Sequence, residues 1–328
     1  MPESNYSNKP TIHNVLNIWV VHDEKPGHLT QLIGLTSRLS TLTKTQLSWI
    51  PAKTSTRSIK ILFKDKGSSL NKNEPAIILG AGHSTHKLVL QLAHKHRSIS
   101  VLLMKPSLPT SLFDFIICPQ HDGLTGSDRV FNTLGTINKV EPGQKTLEQR
   151  SNNLLLIGGP SKHFEWNEKT LISEIMTLCK HHADKQWQLS NSPRTPSTFM
   201  TELMSQEIPN LSCHQFNDEI FSDLNISLQN SAQTWVTPDS MSMLYESLTA
   251  GCATAVFTLS PANIKKPSKV ALNVQQLISD KVVSDITSLL NHDNSTLTTE
   301  KIWEADRAAQ WLLKQCSQTH PLGREIPV

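Results

Sequence analysis

Short, continuous apolar runs, each followed by a loop and then by a segment of helical period, recur along most of the chain and limit what it can fold into. In the first half they fall at residues 15–21, 76–80, 100–104 and 115–118, with a weaker one at 46–50 and helical spacing opening near Leu29, Ser58 and Thr85. Several of these runs lack the alternation of a half-exposed strand, which is what burial on both faces of a parallel sheet produces. The expected class is therefore α/β. At 328 residues the chain is too long for one ordinary core and suits two domains.

After Pro119 the texture changes to "QHDGLTGSDRVFNTLGTINKVEPGQKTLEQRSNN", rich in Gly, Asn and charge, which reads as an interdomain linker. The pattern then restarts. Strands are expected at 153–157, 186–190, 234–237 and 253–257, and helices at 168–181, 197–204, 241–249 and 271–278. The expected layout is a flexible tail at 1–14, one Rossmann-like domain at 15–148 and a second at 149–298. A last helix at 300–315, within 299–328, is expected to return to the first domain. Two open sheets of similar size would face each other across a cleft, with ligands at the carboxyl ends of the strands.

Composition narrows the partners. A formal charge of +3 demands no nucleic acid and suits a phosphate-bearing ligand or an anionic membrane surface. No window approaches the ~18 uninterrupted apolar residues of a spanning helix. Cys118, Cys179, Cys213, Cys252 and Cys316 are scattered, without C-x-x-C spacing, which argues against a disulfide framework or a thiolate zinc site. A cytoplasmic protein is expected, with at most peripheral contact at the inner face of a membrane.

Chemistry is concentrated in the strand-to-helix loops. "HDEKPGH" supplies His22, Asp23, Glu24, Lys25 and His28, with Pro26-Gly27 shaping the turn. Asp23 and His28 are the best candidates for a general base. "GAGHSTH" places Gly80, Gly82 and His83 before a helix opened by Ser84 or Thr85. His83 and His86 have no further ligand at metal spacing, so no metal is expected. In the second half, "VTPDSMSMLYESLTAG" sets Asp239, Ser240, Met241 and Ser242 at a helix start, where unpaired N–H groups and the helix dipole suit a phosphate. Glu246, further into that helix, could accept from ribose hydroxyls. "IGGPSKHF" offers the close-approach glycines Gly158 and Gly159, followed by Ser161 and Lys162. "SNSPRTP" sets Arg194 between Ser192 and Thr195, where its fork could grip a phosphate. An ordinary N-cap, a plain turn and an exposed arginine are the competing readings of these three motifs. The dehydrogenase fingerprint, the Walker loop and the G-x-S-x-G elbow are all missing.

Taken in order, "IWVVHDEKPGHLTQLIGL", "LGAGHSTHKLVLQLA", "LLIGGPSKHFEW", "SPRTP" and "VTPDSMSMLYESLTAG" resemble the mitochondrial fission ELM family, over about residues 17–316. That family is similar in layout to GT-B glycosyltransferases, including the one that adds N-acetylglucosamine to peptidoglycan lipid precursors. The resemblance implies a nucleotide-sugar donor on the C-terminal domain, at Ser240, Met241, Ser242 and Glu246. It implies an acceptor-side loop of Lys25, Pro26, Gly27, Gly82 and His83 on the N-terminal one, with His28 where those transferases carry a loop histidine. The first loop departs from their glycine run, leaving His28 and Asp23 both open as the base.

The expected function is metal-independent, cofactor-free transfer of a sugar from a nucleoside diphosphate to a cell-envelope saccharide or lipid-linked acceptor. A nucleotide-sugar epimerase and a non-catalytic scaffold are the alternatives.

Overall fold

The structure, a computed structural model, describes residues 15–53, 74–124, 127–219, 223–287 and 302–319. The tail at 1–14 and the helix expected near Ser58 lie outside the described residues. Six strands build the first sheet: β1 (Leu16–His22), β2 (Thr45–Pro51), β3 (Ile77–Ala81), β4 (Ile99–Leu103), β5 (Phe115–Pro119) and β6 (Val130–Thr133). Their spatial order is β2-β1-β3-β4-β5-β6. Helix α1 (Pro26–Leu42) follows β1, and α2 (His86–His96) follows β3. Every position of β3, β4 and β5 is buried, as their unbroken apolar runs require. Edge strand β2 is largely exposed, which explains its weak apolar signal.

The second sheet comprises β7 (Asn152–Leu156), β8 (Trp187–Ser190), β9 (Leu211–His214), β10 (Ser231–Val236), β11 (Ala253–Val256) and β12 (Ser284–Asp285), in the order β12-β11-β10-β7-β8-β9. Around it lie α3 (Glu168–His181), α4 (Ser197–Met204), α5 (Leu224–Gln229), α6 (Met241–Ala250) and α7 (Lys269–Ser279). Alternate residues of β7 feed different cores. Leu154 and Leu156 pack with Val236, Leu244 and Tyr245, whereas Leu155 and Ile157 pack with Leu171, Trp187 and Phe199. Helix α7 starts earlier than its apolar period suggests, because the Ser268 hydroxyl accepts from Ala271 N at 3.2 Å and caps it.

The chain divides into two compact units, the first holding β1 to β5, β6 and the residues from Ala305 on, the second holding Leu134–Glu304 and Pro119–Gly123. The last helix, α8 (Glu304–Thr319), begins later than expected. It belongs with the first unit through Arg38 Nε to Asp306 Oδ1 at 2.6 Å and through Trp311, whose ring lies 5.4 Å from Phe115 and 5.3 Å from Phe131.

The segment read as an interdomain linker contains a strand and is divided between the two units. Val130–Thr133 is the sixth strand of the first sheet, and the residues from Leu134 on belong to the second unit. Arg150 fixes its far end. Buried, it donates to the carbonyls of Lys145, Ser231 and Ala250 at 3.1 Å each. A side chain at Gly143 would meet its guanidinium at 2.5 Å, so the glycine makes room for it. Arg150→Met strips a charge-assisted donor set from buried carbonyls. It should lower unfolding free energy by about 3 kcal/mol, read as a drop in the urea midpoint at unchanged slope.

Candidate functional site

In the first sheet β1 lies between β2 and β3. The chain leaves β1 toward one side and returns on the other. The loops after β1 and β3 therefore start side by side at the carboxyl edge, the position where open parallel sheets bind ligands. Those two loops supply the polar cluster. His28 Nδ1 lies 2.8 Å from Asp23 Oδ1, and Ser84, from the β3 loop, donates to Asp23 Oδ2 at 3.2 Å. Lys25 adds its backbone N–H at 3.3 Å and its ammonium at 3.6 Å. The Asp23 side chain is 6% exposed and that of His28 20%. Burial alone would raise the Asp23 pKa. The hydrogen bonds from His28, Lys25 and Ser84, with the nearby His28 charge, outweigh it and hold the carboxyl below its ordinary value. An ionised carboxylate only accepts, so the His28 Nδ1–H donates this bond and Nε2 is the ring nitrogen outside it.

Backbone geometry holds this pair. Gly82 has φ 91°, and a side chain there would strike the His28 ring and meet Asp23 Oδ2 at 2.8 Å. Glu24, in the left-handed region at φ 64°, turns the chain between strand and helix. The structure corrects two details of the expected loop. Pro26, Gly27 and His28 form the first turn of α1, which opens earlier than Leu29 because proline at the first helical position presets φ and forgoes no bonded N–H. The five ionisable residues also separate. Asp23, Lys25 and His28 gather, whereas His22 lies edge-on to Trp49 at 5.9 Å. His83 is exposed in a 3₁₀ turn, its ring 5.5 Å from that of buried His86. Among the described residues no three of His, Cys, Asp and Glu gather as a metal-holding group.

The second sheet repeats the arrangement with β7 between β8 and β10. Here several groups expected to contact a ligand are engaged by the protein itself. Asp239 reaches under the glycine turn: its Oδ2 accepts from Gly159 N at 3.0 Å, and a side chain at Gly158 would meet its Cγ at 2.8 Å. Arg194 donates to the same oxygen at 2.8 Å and to the carbonyls of Gly159 and Pro160. Nη2 thus pairs with a carboxylate of the chain while Nη1 bonds the two carbonyls. Ser192 donates to Gly158 O at 2.9 Å and Thr195 to Ile157 O at 3.0 Å, stitching the β8 loop onto the β7 loop. Ser161 accepts from His163 N and Phe164 N.

What stays open to a ligand lies around α6 and at Lys162, which is exposed. Ser240 occupies the N-cap position without a side-chain cap, and Met241 and Ser242 begin the helix. Ser242 donates to Glu246 Oε1 at 3.2 Å. Burial pushes the Glu246 carboxyl upward, while the Ser242 hydroxyl and the Lys139 charge pull it partly back. Sequence reasoning missed three contributors. Thr237 accepts from Gly158 N at 2.7 Å, Ser84 completes the Asp23 cluster, and Lys139 lies in the segment taken for a linker. Only the hydroxyl of Ser84, at a helix start, carried a local signal.

Two outcomes follow. Gly82→Ala adds a side chain at positive φ against the Asp23–His28 pair and should cost about 1–3 kcal/mol, measured by chemical denaturation. Because the folded Asp23 pKa is depressed, its stabilisation is complete above the ordinary value of 3.8 and is lost as pH falls through the folded value. Wild type should therefore exceed Asp23→Asn in stability at neutral pH and converge on it in acid, as thermal unfolding across a pH series would show.

The comparisons with known proteins fit this geometry. The family model described as mitochondrial fission ELM1 matches residues 26–316. The uncharacterized protein RP120 of Rickettsia prowazekii (strain Madrid E) is 24% identical, over 81% of this chain and 89% of its own. Among solved structures, a Listeria monocytogenes protein assigned as a UDP-N-acetylglucosamine 2-epimerase aligns with TM-score 0.56 at 11% identity, over 96% of this chain and 100% of its own. A UDP-glucosyltransferase from Polygonum tinctorium aligns with TM-score 0.53 at 11% identity, over 94% and 100%. The UDP-GlcNAc 2-epimerase of Neisseria meningitidis, bound to UDP-GlcNAc, aligns with TM-score 0.51 at 11% identity, over 93% and 100%. At such identities the likeness establishes the fold, which is GT-B-like: two Rossmann-like units, each with a parallel six-stranded sheet. With that fold and a family match across most of its length, the chain belongs to the mitochondrial fission ELM1 family.

Proposed function

We propose that the protein is a glycosyltransferase that moves a sugar from a nucleoside diphosphate to an acceptor hydroxyl. His28 acts as the general base and Asp23 orients it. The observation that carries this reading is the Asp23–His28 pair at the first sheet's switch point, with a nearly buried carboxylate on Nδ1. A carboxylate so placed fixes the ring and stabilises the imidazolium that forms when Nε2 takes a proton. Asp23 is the weaker candidate for the base itself, since its two oxygens already accept from His28, Lys25 and Ser84.

In the proposed step Nε2 accepts the hydroxyl proton of the acceptor. The acceptor oxygen then bonds to the anomeric carbon, and the bond from that carbon to the diphosphate breaks, its electron pair leaving with the nucleotide. The second unit holds the donor: the start of α6 at Ser240, Met241 and Ser242 takes the diphosphate, Glu246 accepts from the ribose, and Lys139 and Lys162 add positive charge. Arg194 and Asp239 order the glycine turn beneath the donor. A buried carboxyl with a raised pKa costs stability, and keeping one a helical turn from the start of α6, hydrogen-bonded to Ser242, supports a binding role for Glu246. A cell-envelope saccharide or lipid-linked molecule remains the proposed acceptor. The cytoplasm, with peripheral contact at the membrane's inner face, remains the proposed location.

The epimerases among the fold neighbours favour a second reading, in which the same donor contacts serve a reaction with no acceptor. The neighbours named for UDP-sugars make uridine diphosphates the first ligands to test. A thermal shift is expected with a nucleoside diphosphate and should be weakened about tenfold or more in affinity by Glu246→Ala. Glu246→Gln should raise stability in the absence of nucleotide. His28→Ala should lower turnover about 10²- to 10⁴-fold with nucleotide affinity unchanged. Conversion of UDP-GlcNAc to its 2-epimer without acceptor would establish the second reading. A chain that binds no nucleoside diphosphate and is indifferent to both substitutions would be a scaffold.

A further inference from the structure

A basic and apolar tip stands beside the β7 loop at the carboxyl edge of the second sheet and takes no part in the chemistry proposed above. The loop leaving β11 presents Ile264, which at 75% exposure is the most exposed large apolar side chain among the described residues. Lys265 and Lys266 follow it directly, and Lys269 opens α7. Leu272, 51% exposed, lies on the outer side of α7 where the other exposed residues are Gln275, Gln276 and Ser279. From Ser247 to Ser279 the chain contains no Asp or Glu. None of these lysines forms an ion pair among the described residues.

The tip is held from below. Lys266 N donates to Asn263 Oδ1 at 2.9 Å, closing a turn with Ile264 and Lys265 at its apex. The loop's base pairs with the β7 loop through Ala262 N to His163 O at 3.0 Å and Glu165 N to Ser260 O at 2.8 Å. An isoleucine raised on a braced turn beside Lys265 and Lys266 costs solvation without serving the core.

We propose that the Asn263–Leu272 tip docks on an anionic lipid surface, with Ile264 entering the headgroup boundary and Lys265 and Lys266 facing the lipid phosphates. Charge complementarity selects this occupant. A soluble diphosphate would use the lysines but leave Ile264 and Leu272 without a role, whereas a bilayer surface takes up both kinds of group. The inference goes beyond the sugar-transfer reading and does not depend on it.

The test is co-sedimentation of the full chain with vesicles of phosphatidylcholine, alone or mixed with phosphatidylglycerol. Binding is expected to the mixed vesicles only and to fall as salt rises. Lys265→Gln with Lys266→Gln should lower the partition coefficient about thirtyfold, from about fivefold per lysine near an anionic surface, and Ile264→Ser about tenfold. Lys169→Gln with Lys180→Gln, an equal charge change on α3, should leave partitioning within about twofold. Failure to sediment with mixed vesicles at low salt would overturn the proposal. So would equal binding to neutral vesicles, or equal loss in the α3 control. A fourth result against it is loss of nucleoside diphosphate binding, without any change in vesicle binding, on removal of Lys265 and Lys266. Nucleotide binding and turnover by the wild type are read separately, so this inference and the transferase reading fail independently.

Discussion

Strand adjacency governs the rest of the structure. In each sheet a strand pairs on one side with the next strand along the chain and on the other with a later one: β1 with β2 and β3, β7 with β8 and β10. Parallel strands all point their carboxyl ends to one edge, so the loops after β1 and β3 meet, as do those after β7 and β10. His28, Asp23 and Ser84 come together for that reason, although 61 residues separate Asp23 from Ser84. Gly158 and Asp239 meet likewise, and the buried runs of β3, β4 and β5 keep the pairing in register.

Three carboxylates in these crevices show how local surroundings set different tasks. Asp23 accepts enough hydrogen bonds to stay ionised below its ordinary range, which suits it to orient an imidazole. Glu246 has one serine hydroxyl and a more distant lysine against deep burial, and its pKa rises. Asp239 is shielded beneath the glycine turn with Arg194 on one oxygen and, among the described residues, no partner on the other. An unsatisfied buried oxygen of that kind costs stability and tends to persist only where an arrangement is used. Arg194 pairs with Asp239 while its side chain stays 46% exposed, and the start of α6 adds the positive end of a helix dipole to the same unit.

Much of the architecture was legible because burial on both faces leaves a compositional trace. The helices at 168–181 and 197–204 were readable to the residue, having strong apolar stripes bounded by Asn167 and Pro196. Strands β6, β9 and β12 were not, since short and partly exposed edge segments such as "LSCH" carry no apolar run. Val130–Thr133 was hidden further by polar neighbours on both sides, and with it went the chance to notice Lys139. Among the candidate site residues, those at strand ends were found by type and position. The engagement of Ser192, Arg194 and Thr195 by the protein's own carbonyls and carboxylate could not be found in that way, because a hydroxyl or guanidinium in a loop looks the same whether its partner is a ligand or another loop.

The sequence by itself determined the α/β class, the two-sheet layout, the positions of most buried strands and the set of loops rich in reactive groups. Apolar periodicity and residue type are local properties, and these features follow from them. Only the tertiary structure decided which loops adjoin, that Asp23 pairs with His28, that Asp239 pairs with Arg194, and that Trp311 is the side chain by which the last helix meets Phe115 and Phe131. Each of those outcomes depends on side chains far apart in the chain being brought within bonding distance. Strand order does that, and no local pattern encodes it.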